Sequence, residues 1–307
     1  MGEMRHKHIL DMESLSDADI RTILDTAVRM KEISRRPIKK VPTLRGKTVV
    51  QFFYEPSTRT KSSFDLAAKR LSADSLSFSK ATSSVVKGET LLDTVQNIEA
   101  MQPDVIIIRH GSAGTPHFLA RHCKACVINA GDGMHAHPTQ ALLDLMTVRE
   151  KKGRLRGLNL LIVGDIAHSR VARSNIVGFQ KMGARVTVCG PPTMMPIGIE
   201  AMGVTVAPAL DDAIGEADVI MMLRIQKERQ AQFLMPDERE YAAVFGLNLE
   251  RLRKASPEVL IMHPGPMNRG VEIDPEVADG PYAVILEQVT NGVAVRMALL
   301  YLVMGGK

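Results

Sequence analysis

The octet Phe53-Tyr54-Glu55-Pro56-Ser57-Thr58-Arg59-Thr60 puts three hydroxyls and a guanidinium into four consecutive positions, directly after the β-rich run Thr48–Phe53. The residues from Ser57 to Ala68 read as a helix, so the octet spans a strand end and a helix start. At that junction the unpaired N–H groups and the positive end of the helix dipole, about half a charge, favour an anion such as phosphate. Ser57, Thr58 and Thr60 add donors, and the planar fork of Arg59 matches phosphate oxygens. An ordinary hydroxyl-capped helix with a surface arginine accounts for the same residues.

Other chemistry-bearing residues recur at strand ends. Arg109 closes the apolar run Val105–Ile108. A strand-end arginine points at an anion or at a local carboxylate, because burying it unpaired is expensive. His137 directly precedes Pro138, where a proline-initiated helix begins, so it is either a helix cap or a donor aimed outward. Leu44-Arg45-Gly46 precedes Arg59 by the same offset at which Leu155-Arg156-Gly157 precedes Arg170. If this is a duplication, two half-units each aim one guanidinium at a cleft outside the strand C-termini, where open parallel sheets bind ligands.

Two alternatives are weak on spacing. Asp132, His135 and His137 lie close together, as do His122, Cys123 and Cys126, but neither group has the second ligand pair of a zinc site. Gly164-Asp165-Ile166-Ala167-His168-Ser169-Arg170 follows a strand yet lacks the later glycines of a dinucleotide fingerprint, which argues against a dehydrogenase.

The elements that must hold these residues alternate between strand and helix. Helical spacing runs through Ile20, Ile23, Leu24, Ala27 and Met30 behind the cap-like Ser14-Leu15-Ser16-Asp17. Strands fit Thr48–Phe53, Ser75–Phe78, Val105–Ile108 and Cys126–Ile128, with helices around Leu91–Met101 and Pro116–Ala120. A second series places strands at Leu158–Val163, Val186–Val188, Val204–Val206, Val219–Met222 and Val259–Met262, and Thr290–Val303 reads as a long apolar helix. The pattern predicts an α/β fold of two doubly wound parallel-sheet domains with the active site in the cleft between them. The domains are expected at 1–137 plus 290–307 and at 153–289, with 138–152 as a connecting helix.

At 307 residues the chain has room for two cores, and 45% hydrophobic with 24% charged residues is a globular composition. No membrane span or signal-peptide core is apparent, so a cytoplasmic protein is expected. Three cysteines are too few for a disulfide framework. The net charge of +5 suits anionic partners, but aromatics at 4% and the absence of Trp leave few stacking platforms for nucleic acid. Small anionic substrates fit better.

The octet resembles the carbamoyl-phosphate signature of the aspartate and ornithine carbamoyltransferase family. The likeness continues in order through Val105-Ile106-Ile107-Ile108-Arg109-His110, Asn129-Ala130-Gly131-Asp132-Gly133, His137-Pro138-Thr139-Gln140, Gly164-Asp165 with Arg170, Leu223-Arg224-Ile225-Gln226-Lys227-Glu228-Arg229 and His263-Pro264-Gly265-Pro266. It implies carbamoyl phosphate on Ser57, Thr58, Arg59, Thr60, Arg109, His137, Gln140, Gly265, Pro266 and Ser83, with Arg59, Arg109 and His137 catalytic. It implies the amino-acid substrate on Lys87, Arg170, Arg224 and Gln226. Ser83 and Lys87 would reach the neighbouring subunit's active site, making the unit a homotrimer with shared sites. Regulatory chains or dihydroorotase are further partners left open; cofactor, metal, nucleic acid and membrane are not implied.

Within the resemblance, L-aspartate is favoured over ornithine as acceptor. Glu55 stands where the ornithine enzymes usually carry lysine, no cysteine follows the motif His263, and Arg224-Ile225-Gln226 replaces their Ser-Met-Gly loop. The expected reaction is carbamoyl transfer to the α-amine of aspartate, an early step of pyrimidine synthesis. An inactive paralogue that only binds ligands, and an enzyme for another amino-acid acceptor, are the rivals.

Overall fold

The computed structural model describes residues 6–79, 89–226, 235 and 237–305. The chain divides into two compact units, with breaks at Met146/Thr147 and Gln288/Val289. The first break falls inside the helix that the sequence reading set apart as a connector.

The first unit opens with α1 (Asp17–Arg35), whose N-terminus is closed by a reciprocal capping box between Ser16 and Asp19. There follow β1 (Thr48–Phe53), α2 (Thr58–Arg70), β2 (Asp74–Ser79), α3 (Leu91–Glu99), β3 (Val105–His110), α4 (Thr115–His122), β4 (Cys126–Asp132) and the start of α5 (Pro138–Lys152). The four strands are parallel in the order β2-β1-β3-β4. Val50, Phe52, Ile106, Ile108 and Val127 pack on one side of the sheet against Val95 and Ile98 of α3 and Leu119 of α4. These strands read as nearly continuous apolar runs because a parallel sheet is covered on both faces.

The second unit takes up the rest of α5, then β5 (Asn159–Val163), α6 (Arg170–Lys181), β6 (Arg185–Cys189), β7 (Thr205–Ala207), α7 (Leu210–Ala213) and β8 (Val219–Met222). It continues through α8 (Glu238–Phe245), α9 (Leu249–Leu252), β9 (Leu260–Met262), α10 (Pro275–Ala278) and the first turn of α11 (Ile285–Val303). Its sheet is parallel in the order β7-β6-β5-β8-β9. The core gathers Leu161, Val163, Ile220, Met222 and Ile261 with Tyr241, Phe245 and Leu247. From Val289 onward α11 belongs to the first unit. It begins five residues before the Thr290 start read from its apolar pattern, because Leu286 is exposed and Glu287 and Gln288 are polar.

The two sheets share one plan. In each, the first strand of the series is internal; the chain adds strands on one side of it and then returns to its other side. The reversal lies between β1 and β3 in the first sheet and between β5 and β8 in the second. Loops leaving adjacent strand C-termini at such a switch point diverge and leave a crevice. Gly46 and Gly157, both at positive φ, each stand two residues before these strands, so the repeated Leu-Arg-Gly marks equivalent strand entries.

Candidate active site

Each switch point carries two arginines. In the first unit Arg59 is the second residue of α2, immediately after β1, and Arg109 lies on β3 in register with Phe53 of β1. In the second unit Arg170 is the first residue of α6, immediately after β5, and Arg224 follows β8 by two residues. Four of the expected site residues thus stand, unit by unit, on the elements that flank the switch point.

The two switch-point helices begin differently. Ser57 is the N-cap of α2, yet its side chain makes no capping hydrogen bond, and the first turn holds no acidic residue. The expectation of a hydroxyl-capped helix is therefore corrected at Ser57. Without a bond from this hydroxyl, first-turn N–H groups of α2 are left for another acceptor. At α6 the Ser169 hydroxyl does accept from Ala172 N–H at 3.1 Å. Thr58 and Arg59 are exposed, Ser57 and Glu55 are half-buried, and Thr60 is buried. Arg170, by contrast, is only 2% exposed, so the equal offsets match in topology and differ in environment.

Arg109 meets the local carboxylate that sequence reading held open. Its Nε lies 3.5 Å from Glu55 Oε2, and its Nη1 donates to the Ala130 carbonyl at 3.3 Å. One contact comes from the loop after β1 and the other from the C-terminal part of β4, so together they fix the direction of the guanidinium. Glu55 belongs to the octet, which gives this acidic residue a structural partner within the motif.

His137 is placed by Asp132, the last residue of β4. Asp132 is fully buried at the end of β4. Its Oδ1 accepts from Asn129 Nδ2 at 2.8 Å and Ala136 N–H at 3.1 Å; its Oδ2 accepts from Gly114 N–H at 2.7 Å and lies 3.0 Å from His135 Nδ1. These bonds wind the segment 132–137 into a tight turn. Gly133 is required there: at φ +47° a Cβ would lie 2.8 Å from the Ala113 nitrogen and 3.0 Å from the Gly111 carbonyl oxygen. The turn delivers His137, 4% exposed, to the position before α5, where its carbonyl accepts from Gln140 N–H at 3.0 Å. His137 is therefore both the helix-cap residue and the group presented at the head of α5. Asp132 and His135 are joined by a hydrogen bond, and among the described residues no group of three or more His, Cys, Asp or Glu is placed to hold a metal ion.

Gln140, one turn into α5 and 8% exposed, donates from Nε2 to Asp144 Oδ1 at 3.0 Å. Asp144 was not singled out by sequence reading, although its spacing of four residues on a helix was the available signal.

In the second unit Arg224 Nη2 donates to Gln226 Oε1 at 3.3 Å, and Gln226 Nε2 returns a bond to the Arg224 carbonyl at 3.2 Å. The backbone N–H of Gln226 reaches Asp165 Oδ2 at 3.4 Å. Asp165 is fully buried and also accepts from His168 at 2.8 Å, tying the loop after β5 to the loop after β8. Gly164, at φ +133°, allows this approach, since a Cβ there would crowd Leu223 and the Tyr241 hydroxyl at 3.0–3.1 Å.

Gly265 and Pro266 lie beyond β9, the edge strand of the second sheet, whereas the other described residues expected at carbamoyl phosphate are in the first unit. Their loop is held by His263, whose Nδ1 accepts from Gly265 N–H at 2.8 Å and whose Nε2 faces Glu272 Oε1 at 3.3 Å. Glu272 Oε1 also accepts from Asn268 N–H at 2.6 Å. Glu272 lies nine residues from His263 and was not flagged from sequence. Ser83, Lys87 and Lys227-Glu228-Arg229 lie outside the described residues.

Comparison with known proteins follows the same division. Residues 7–150 match the family model described as the carbamoyl-phosphate-binding domain of aspartate/ornithine carbamoyltransferase, and residues 156–303 match its Asp/Orn-binding domain. The aspartate carbamoyltransferase catalytic subunit of Desulforapulum autotrophicum is 71% identical, over 98% of this chain and 96% of that protein. That of Desulfosudis oleivorans is also 71% identical, over 98% and 97%. Among solved structures, ornithine carbamoyltransferase from Pyrococcus furiosus superposes with a TM-score of 0.87 at 30% identity, covering 100% of both chains. Aspartate transcarbamoylase from Trypanosoma cruzi, in complex with N-(phosphonacetyl)-L-aspartic acid, superposes with a TM-score of 0.86 at 30% identity, covering 97% of this chain and 96% of that one. With both sheets, their order of motifs and nearly all of its length accounted for, the chain belongs to the aspartate/ornithine carbamoyltransferase family.

Proposed function

We propose that the protein transfers the carbamoyl group of carbamoyl phosphate to the α-amine of L-aspartate, giving N-carbamoyl-L-aspartate and phosphate, the step by which the aspartate branch of the family enters pyrimidine synthesis. The observation that carries the reading is the asymmetry between the two switch points. In the first unit an uncapped helix start stands beside Arg59 and Arg109, a combination suited to a phosphate. In the second, a helix capped by its own serine stands beside two arginines, which suits two separate carboxylates held by side chains. Relatives named for aspartate at 71% identity support the choice of acceptor, as does Arg224, which would repel the side-chain cation of ornithine.

In the reaction the neutral α-amine attacks the carbamoyl carbon, a C–N bond forms, and the tetrahedral intermediate collapses as the C–O bond to phosphate breaks. Arg59, Arg109 and the N–H groups of α2, with Ser57, Thr58 and Thr60, hold the phosphate and stabilise the charge it gains on leaving. His137 donates to the carbamoyl oxygen as negative charge grows there. Gln140 meets the carbamoyl NH2, and the carbonyls of Gly265 and Pro266 accept from that NH2 or from the attacking amine. Arg170, Arg224 and Gln226 hold aspartate. The departing phosphate takes the proton released by the amine. No metal or cofactor enters this sequence.

By the resemblance, Ser83 and Lys87 come from a neighbouring subunit, which makes the working unit a homotrimer in the cytoplasm. Among the described residues no helix is long and apolar enough to cross a membrane. A colorimetric assay for carbamoyl aspartate with a panel of amino-acid acceptors tests the reading. Turnover with L-aspartate and none with ornithine is expected; turnover with ornithine alone, or with neither, overturns it. Mixing Lys87→Ala with Arg59→Ala chains tests the shared site: hybrids regain activity if it exists, and confirmed trimers without rescue exclude it.

A further inference from the structure

Outside the motifs, one buried cation is in contact with both helices that carry the first unit's site residues. Arg296, on α11, is only 3% exposed. Its guanidinium carbon lies 5.1 Å from the ring centroid of Phe64 on α2, and its Nη2 donates to Thr139 Oγ1 on α5 at 3.4 Å. Room for it is made one turn earlier, at Gly292, where a Cβ would come within 2.6 Å of Arg296 Nη1. Burial pulls the guanidinium pKa down to about 10, and the negative charge of Asp144 opposes that fall, so Arg296 stays charged at neutral pH. An uncompensated buried cation would be costly, and the fully buried Asp144 supplies the opposite charge.

Asp144 is also the partner of Gln140 Nε2. An amide side chain can be turned either way, and its neighbours decide which end is donor and which is acceptor. An ionised carboxylate only accepts, so it admits the NH2 end of Gln140 and rejects the oxygen end. With Nε2 committed to Asp144, the end of Gln140 left for a ligand is Oε1, an acceptor. A carbamoyl NH2 is a donor, and the polarity matches.

We propose that Asp144 is a positioning residue for carbamoyl phosphate, setting the Gln140 amide so that Oε1 receives the carbamoyl NH2. The inference rests on the reading that Gln140 contacts this NH2. It also gives the lone arginine of an apolar helix a place in the support of that site: Arg296 donates to Thr139, the residue before Gln140, and through Phe64 it packs on α2, which bears Arg59.

The test is steady-state kinetics with carbamoyl phosphate varied, on the full-length protein and four variants, with thermal unfolding measured in parallel. Gln140→Ala and Asp144→Asn are each expected to lower kcat/KM for carbamoyl phosphate about tenfold or more and to leave KM for aspartate unchanged. The double variant should lose no more than Gln140→Ala alone, because Asp144 acts through Gln140. The paired variant Asp144→Asn/Arg296→Met removes both charges, so it should regain thermal stability relative to Asp144→Asn without regaining kcat/KM. Losses that multiply in the double variant, or activity that returns with stability in the paired one, overturn the proposal while leaving the reading of Gln140 intact. A Gln140→Ala variant with normal kinetics overturns that underlying reading and the proposal with it.

Discussion

Replacing Asp132 by alanine tests whether the turn that delivers His137 is held as described. The carboxylate is fully buried and makes four hydrogen bonds, of which two, from the backbone N–H groups of Gly114 and Ala136, have no evident substitute. Asn129 Nδ2 keeps its bond to the Leu10 carbonyl at 2.7 Å, and His135, with a third of its side chain exposed, can turn to water. Two buried donors left unsatisfied cost about 1–3 kcal/mol each, hence about 2–6 kcal/mol against a total stability of roughly 5–15 kcal/mol. At ~2–4 °C per kcal/mol for a domain of this size, the melting temperature should fall by ~4–24 °C. The fraction that remains folded should also be slow, since an ångström of misplacement at a catalytic group can cost about a hundredfold. Thermal unfolding by circular dichroism gives the first quantity, and the carbamoyl aspartate assay, run well below the variant's transition, gives the second. A variant that melts within 2 °C of wild type and turns over normally would refute the role assigned to Asp132.

Arg59→Ala should lower kcat tenfold to a hundredfold, and Arg224→Ala should chiefly raise KM for aspartate, each losing a charge-assisted contact of about 1.5–3 kcal/mol; initial-rate kinetics in both substrates separates the two. Gly133→Ala should be far more damaging than Gly114→Ala, because both glycines have positive φ but only Gly133 has backbone atoms where the methyl would go; chemical denaturation of the two variants compares them. Asp11 supplies a pH signature. Burial alone would raise its carboxyl, but Ser14 N–H at 2.7 Å and His117 at 2.7 Å outweigh burial and hold it below its ordinary value. Its stabilising contribution is therefore present above about pH 4 and lost as pH falls through the lowered folded-state pKa. The stability gap between wild type and Asp11→Asn in urea titrations should close over that acid range and stay constant above it.

Much of this molecule is legible in its sequence because the fold repeats simple physics. Buried parallel strands read as apolar runs, and all nine among the described residues fall within a few residues of where Thr48–Phe53 and its successors place them. The arginines stand out less by physics than by resemblance: spacing alone left Arg59 open to an ordinary helix start and Arg109 to a local carboxylate, and it is the ordered family motifs that group them with Arg170 and Arg224. What composition and spacing could not reveal is which polar residue supports another. Asp132, Asp144, Glu272 and Arg296 act through partners set by tertiary packing, and Arg296 meets Thr139 across 157 residues of chain. Nor could sequence distinguish a capping serine from an idle one. Ser57 and Ser169 occupy equivalent helix starts, yet only the Ser169 side chain makes the capping hydrogen bond that closes its helix terminus.

The account depends on four arginines at two switch points dividing one phosphate and two carboxylates between them. A crystal structure of the protein with N-(phosphonacetyl)-L-aspartic acid tests this directly. The phosphonate should lie at the start of α2 against Arg59 and Arg109, and the carboxylates against Arg170 and Arg224. The compound bound elsewhere, or bound with its phosphonate on the second unit's arginines, would contradict it.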